Sequence, residues 1–281
     1  MPADPPQRAV EVADGVVAIV HGRGETGVSN AGLVYGEGRA LVIDTMMFPE
    51  MAEGIAGELG RRGARADVVL NTHHHVDHVG GNAVFGDARL VAHPKAAGAI
   101  AHPPPAAVYD SFIPAFAGRF ETLDVPPPEP SLDDLDLPLD ARLRSYAPAH
   151  TVADVAVWLP SSRVLFTGDL AFFGVAPLAL QGLVSSWVAA LDDLLALDPA
   201  VVVPGHGPVG GGRELALVRD HLAALLEAAR HDTPLEPDEV SDWLEADRVP
   251  VNLERARQEV RGEIDATDLS AIPANAGTLF H

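Results

Sequence analysis

The chain has 281 residues, 47% of them hydrophobic, enough to bury one large core or two small ones. Nineteen Lys and Arg against 40 Asp and Glu give a formal net charge of −21, a surface that repels nucleic acid and anionic membranes. The absence of cysteine excludes disulfides, thiolate metal ligands and cysteine nucleophiles, and no apolar run approaches the roughly 18 residues of a membrane span. The N-terminal MPADPPQRAVEVADG has no basic segment followed by an apolar run, so a soluble cytoplasmic protein is the expectation.

In chain order, apolar or β-branched runs at 16–21, 31–35 and 40–44 are separated by glycine-bearing turns and predict strands. Residues 49–62 predict a helix with Met51, Ile55 and Leu59 on its inner stripe. A buried-type strand at 67–71 runs into THHHVDHVGGN, and a strand at 90–93 precedes a short helix at 94–101. From 102 to 140 proline clusters bracket Tyr109, Phe112, Phe116 and Phe120, which reads as an insertion or lid over the core. Strands resume at 142–147, 155–159 and 164–168, followed by an amphipathic helix at 185–197, a strand at 201–203 and a long helix at 213–230. Helical stretches at 236–246 and 251–261 lead to a polar tail. Strands and helices grouped in two halves imply two sheets packed face to face with helices outside.

His73, His75, Asp77 and His78 lie within six residues, directly after a buried-type strand. Alternate residues of an extended segment point the same way, so His73 and His75 are placed to grip one ion. The following turn, with Gly80 and Gly81, brings Asp77 and His78 toward a second. Imidazole and carboxylate suit zinc, and a catalytic site keeps one position open for water. His150 in APAHT, Asp169 in LFTGDL and His206 in VVVPGHGP each follow a predicted strand, and Gly205 and Gly207 let the backbone turn beside a ligand. His74 is expected to turn away from the ions.

THHHVDH, the histidine of APAHT, the aspartate of FTGDL and PGHGP together resemble the ordered metal motifs of the metallo-β-lactamase superfamily, over roughly residues 10–230. The resemblance implies an α/β fold, a four-layer αββα sandwich of two mixed β-sheets flanked by helices. A catalytic domain over 8–235 would contain the 102–140 insertion, with 236–281 a C-terminal helical extension and tail. Position by position, His73, His75 and His150 would bind a first zinc, and Asp77, His78 and His206 a second, with Asp169 bridging both. The same donors accept iron or manganese. Two such ions share and acidify a water, giving a hydroxide that attacks a carbonyl without a serine or cysteine nucleophile. Asp77 and Asp169 are the acidic residues expected to serve catalysis through the metals.

Members of this superfamily that hydrolyse β-lactams carry cysteine or serine where Asp169 stands and are secreted, which argues against antibiotic hydrolysis. SNAGLV, RVLFTGDLAFFGVAPLALQGLVSSW and VNLERA are similar to a bacterial subfamily that includes zinc-dependent aromatic polyketide cyclase/thioesterases. The expectation is a dinuclear zinc hydrolase of small thioester, ester or lactone substrates, free or bound to a carrier protein. The alternative is a Lewis-acid polyketide cyclase/thioesterase; a β-lactamase and an iron-dependent persulfide-type oxygenase are weaker. Phe172, Phe173, Phe112 and Phe116 are candidates for an apolar substrate wall. A core position or a homodimer contact is the other reading of the aromatic stripe.

Overall fold

Runs of small and branched apolar residues, broken by turn residues, build two sheets. In the computed structural model, which describes residues 6–264 and Leu269, the first sheet has six strands in sequential order. They are β1 (Gln7–Ala13), β2 (Val16–His21), β3 (Ala31–Gly36), β4 (Arg39–Ile43), β5 (Arg65–Asn71) and β6 (Arg89–Ala92). β1 to β4 form an antiparallel meander, whereas β4, β5 and β6 run parallel. The parallel pairs need crossovers. One is the helix α1 (Pro49–Arg61); the other is the segment 72–88, with its single turn α2 (Val76–Val79).

The second sheet contains β7 (Arg142–Tyr146), β8 (Asp154–Leu159), β9 (Val164–Phe172) and β10 (Val201–His206), in the order β10-β9-β8-β7. β9 and β10 are parallel and the other pairs antiparallel. Strand periodicity divides the core into layers. Val16, Ala18 and Val20 point between the sheets, where they join Leu41, Leu70, Val155, Val157 and Phe166. Val17 and Ile19 point the other way, onto Met51, Ile55 and Leu59 of α1. The outer face of the second sheet, with Trp158 and Leu165, is covered by α5 (Val184–Leu195) and α6 (Gly212–His231) through Trp187, Leu191, Leu215 and Leu222. The architecture is thus the expected α/β sandwich of four layers, αββα, with two mixed sheets inside.

Three segments depart from the sequence expectation. β1 was not anticipated, because QRAVEVA is only half-buried along an edge and shows little apolar contrast. β9 continues past Gly168, whose φ of 50° kinks the strand without ending it, so Asp169 lies inside a strand. The helix expected at 236–246 is a single 3-10 turn, Glu239–Asp242. There the Asp238 carboxylate accepts from the amides of Val240 and Ser241, and Glu245 at φ 55° reverses the chain into α7 (Arg248–Val260). The rest of the expected tail, Leu269 apart, lies outside the described residues.

Residues 94–140 follow β6 and form the rim of the sandwich. They contain α3 (Pro94–Ile100), α4 (Ala106–Phe112) and two 3-10 turns. Phe116 and Phe120 are buried on the ring of Phe48, at centroid distances of 5.6 and 5.4 Å. Glu129 pairs with the edge of β6 through Leu90 and Ala92. Among the described residues no helix is long and apolar enough to cross a membrane.

Phe166 fills the space that a Cβ on Gly32 would need, so the two sheets approach closely at that point. Phe166→Ala is expected to lower unfolding free energy by about 3–5 kcal/mol in urea titration, the usual cost of emptying an aromatic core site. A loss below about 1 kcal/mol would show that the intersheet layer collapses readily around the gap.

Candidate metal centre

The end of β5 and the turns that follow it supply half of a buried polar cluster. His73 follows the strand by two residues, His75 is the N-cap of α2, and Asp77 and His78 lie within that turn. The second sheet supplies the other half: His150 from the β7–β8 connection, Asp169 from β9 and His206 from the end of β10. The backbone of Gly205 passes so close to Asp169 that a Cβ there would fall on its Oδ1, and Gly207 turns the chain away at φ 90°. Any larger residue at 205 would displace the carboxylate.

Potential ligand atoms converge in two groups, each within 4.8 Å: His73, His75, His150 and Asp169, and Asp77, His78 and His206. Asp169 is central. Its Oδ1 lies 3.0 Å from His78 Nε2, and its Oδ2 lies 3.5, 3.6 and 3.7 Å from Nε2 of His150, His206 and His73. Asp77 Oδ2 is 3.2 Å from His206 Nε2. The sequence expectation thus brings all seven residues together, and it divides them as the motif resemblance does, with Asp169 touching both groups.

Two side chains that the sequence reading passed over orient these rings. Asp44, just after β4, is buried at φ 59°. Its Oδ2 accepts from His78 Nδ1 and from Thr72 Oγ1, both at 2.8 Å, and its Oδ1 accepts from the Thr72 amide at 2.7 Å. With its proton committed to Asp44, the Thr72 hydroxyl accepts from His73 Nδ1 at 3.0 Å. One carboxylate therefore fixes the tautomer of two histidines and turns both Nε2 atoms inward. Gln181 does the same for His75, whose Nε2 donates to Gln181 Oε1 at 2.7 Å. Asp44 carries the strand-end signal that marked the other acidic candidates; Gln181 carries none.

Electrostatics sort the cluster into two classes. Burial holds His73 and His75 below the ordinary imidazole value and brings His150 down to about 3. At His78 and His206 burial also opposes a charged ring, but facing carboxylates, Asp169 foremost, outweigh it. His78 is raised well above the ordinary value and His206 to about 9. Burial likewise opposes ionisation of Asp77 and Asp169, yet His78 and His206 prevail. Asp77 falls to about 2, and Asp169 drops well below the carboxylate range.

His73 Nε2 is buried and makes no hydrogen bond among the described residues, and His78 Nε2 and Asp169 Oδ1, equally buried, face each other at 3.0 Å without a well-formed bond. Polar atoms left so are costly to bury, and a cation placed among them satisfies all three. Five imidazoles and two carboxylates without thiolate form a donor set that fits a borderline divalent ion such as zinc. By composition and placement the residues fit a metal.

A cavity of about 650 Å³ opens onto the cluster. Phe112, Tyr109, Phe172, Leu178 and Leu180 contribute to its walls. Of the four phenylalanines proposed for an apolar wall, Phe112 and Phe172 thus line this cavity. Phe116 and Phe173 do not: Phe116 is buried on Phe48, and Phe173 is buried in the layer under α5 and α6, against Gly210. Adjacent residues of an extended chain point to opposite sides, so only one of the Phe172–Phe173 pair reaches the cavity. His74 belongs to neither ligand group and lines the cavity beside His75.

Residues 24–206 match the metallo-beta-lactamase superfamily, and the chain belongs to it. It is similar to the hydroxyacylglutathione hydrolase of Synechococcus sp. (strain JA-3-3Ab), at 31% identity over 58% of this chain and 56% of that one. It is also similar to the 2,4-dinitroanisole O-demethylase subunit alpha of Nocardioides sp. (strain JS1661), at 29% identity over 71% of this chain and 55% of that one. The matches thus span little more than half the length of these curated relatives. Among solved structures, VMB-1 shares the fold at a TM-score of 0.61 and 18% identity, over 79% of this chain and 98% of that one. The sec-alkylsulfatase Pisa1 from Pseudomonas sp. superposes with a TM-score of 0.66 and 16% identity, over 95% of this chain and 52% of that one.

An imidazole must be neutral to ligate, so protons on His78 and His206 compete with a metal. With His206 raised to about 9 and His78 above the ordinary value, zinc uptake near neutrality should release about two protons per chain. Apparent affinity should climb as pH rises toward about 9, by on the order of tenfold per unit for each proton displaced. Indicator-dye proton release during zinc titration measures the first effect and chelator competition the second. Uptake without proton release, or with flat affinity across that range, would contradict the charge distribution described.

Proposed function

We propose that the chain is a dinuclear zinc hydrolase of acyl substrates, with thioesters the leading class and esters and lactones close behind. The observation that carries this reading is the position of Asp169, whose oxygens touch both ligand groups at once. The curated relatives named as hydroxyacylglutathione hydrolases favour a thioester. When bound, two zinc ions supply Lewis acidity toward a carbonyl and acidify water near neutral pH.

The chain's own residues do the rest. Asp169 sets the spacing of the two ligand groups. Asp44 and Gln181 hold three imidazoles in the tautomers that turn a bare nitrogen inward. Phe112, Tyr109, Phe172, Leu178 and Leu180 exclude bulk water and grip an apolar acyl group. A second reading, ring closure of an aromatic polyketide chain at the same centre, is favoured by the size and aromatic walls of the cavity.

The test screens zinc-loaded protein against acyl-thioester, lactone, phosphodiester and cephalosporin reporters. The expected ranking puts thioesters first, with cephalosporin turnover far below the ordinary enzyme range of about 10⁴ M⁻¹s⁻¹. A cephalosporin efficiency within that range would overturn the substrate assignment. Asp169→Ala should cut turnover by several orders of magnitude and remove metal while the sandwich stays folded by circular dichroism. Phe112→Ala should reorder acyl preferences at constant metal content. Phe116→Ala should instead lower stability, by about 3–5 kcal/mol if its pocket cannot close, and leave the ranking unchanged. Equal effects of the two on substrate ranking would refute the division between wall and core.

A further inference from the structure

His75 differs from the other four histidines of the cluster in the nitrogen it turns inward. His73, His78, His150 and His206 approach the carboxylates through Nε2, whereas His75 presents Nδ1, 3.3 Å from His150 Nε2. A neutral imidazole carries one ring proton. With that proton on Nε2 and donated to Gln181 Oε1 at 2.7 Å, the Nδ1 lone pair is left free to point into the cluster. The ring thus depends on where one side-chain carbonyl is held.

Gln181 is buried in the irregular connection between β9 and α5, a segment with no sheet or helix of its own to fix it. The segment is fixed from outside, by a backbone bridge between Val175 and Leu244, by the Leu183 amide on the Ala149 carbonyl, and by side chains of α7. Arg248 Nη1 donates to the Ala176 carbonyl at 2.8 Å. Asn252 Nδ2 donates to the Pro177 carbonyl at 2.7 Å, and its Oδ1 accepts from the Ala179 amide at 2.8 Å. Past Gln181, Arg255 Nη2 donates to the Gly182 carbonyl at 2.8 Å, and the Glu259 carboxylate accepts from the Val184 amide at 2.6 Å. The connection is gripped on both sides of Gln181 by four side chains spaced along one helix. Asn252 and the Arg248 side chain are almost wholly buried, so these bonds do not compete with bulk water. That helix begins well beyond residue 206, where the superfamily match ends.

We propose that Gln181 is a positioning residue for metal binding, and that α7 belongs to the metal centre because it holds Gln181 against His75. This inference rests on the reading of the cluster as a metal site. Gln181 fixes the tautomer and plane of His75, and α7 fixes Gln181. Removal of the acceptor lets the His75 proton move to Nδ1, where it blocks the lone pair. The loss falls on the ligand group that contains His73, His75 and His150.

The test compares the full-length parental chain with Gln181→Met, Gln181→Leu, Gln181→Glu and Asn252→Asp. Zinc affinity is read by chelator competition, site geometry by the visible absorption of the cobalt(II)-loaded protein, and folding by thermal unfolding without metal. Gln181→Met and Gln181→Leu should weaken one of two metal equivalents by about 10–100-fold, the usual effect of removing a residue that supports a ligand. They should also alter the cobalt spectrum, at nearly unchanged thermal midpoint. Gln181→Glu keeps an acceptor at similar reach and should retain parental affinity. Asn252→Asp loses the donor to Pro177 and should weaken the same equivalent, less than the apolar variants do. Parental affinity and spectrum in both apolar variants, or a Gln181→Glu as impaired as Gln181→Leu, overturns the positioning role alone. A parental chain that takes up no zinc overturns the reading of the cluster, and this role with it.

Discussion

The carboxylate of Asp169 lies within 3.0 to 3.7 Å of four imidazole nitrogens in an almost fully buried site, and much of the molecule is arranged around that contact. So many polar atoms brought together without solvent repel and desolvate one another unless each is held in one orientation. The chain holds them through rigid neighbours. Asp44 fixes two rings, Gln181 a third, and Gly205 leaves the room that the carboxylate itself occupies. The seven candidate ligands all come from the ends, kinks and connections of strands, where backbone geometry is set by a sheet while the side chain is free to leave it.

The fold was legible wherever the apolar period was strong. The strands at 16–21 and 155–159 were readable because burial on both faces leaves an almost unbroken apolar run, and the stripe Met51, Ile55, Leu59 because its helical period stands out against Glu50, Glu53 and Arg61. β1 was not, since an edge strand with mixed exposure has almost no contrast. The 236–246 segment failed for a different reason. Its composition tolerates a helix, but Asp238 spends its side chain on two local amides and closes a single turn instead.

The candidate site divides in a similar way. The metal-type side chains were visible because His, Asp and Gly at strand ends have few other reasons to cluster. The residues that orient them were not, because an aspartate after VI and a glutamine between leucine and glycine look ordinary one at a time. The aromatic residues show the same limit. Phe112 and Phe116 are one helical turn apart in sequence, yet Pro114 breaks the helix between them. One therefore faces the cavity and the other the core. Spacing alone specifies a face only while the helix continues.

The cluster draws His73, His75, Asp77 and His78 from the first sheet and His150, Asp169 and His206 from the second, so its geometry is set by how the two sheets pack. The layer between them is made largely of Val, Leu, Ile and Ala with the ring of Phe166. Apolar side chains packed at crystal-like density resist sliding, because any shift opens voids or forces overlap. A rigid dry layer therefore acts as the spacer that keeps Asp169 between the two groups of histidines. The cavity wall is built separately, from the 94–140 rim and from the β9–α5 connection that α7 grips. A substitution in the rim can thus reshape the space above the cluster without moving the sheets, whereas one in the intersheet layer moves both halves of the cluster relative to each other. This separation of spacer from wall lets one scaffold keep its buried cluster while the shape of the cavity above it is set elsewhere.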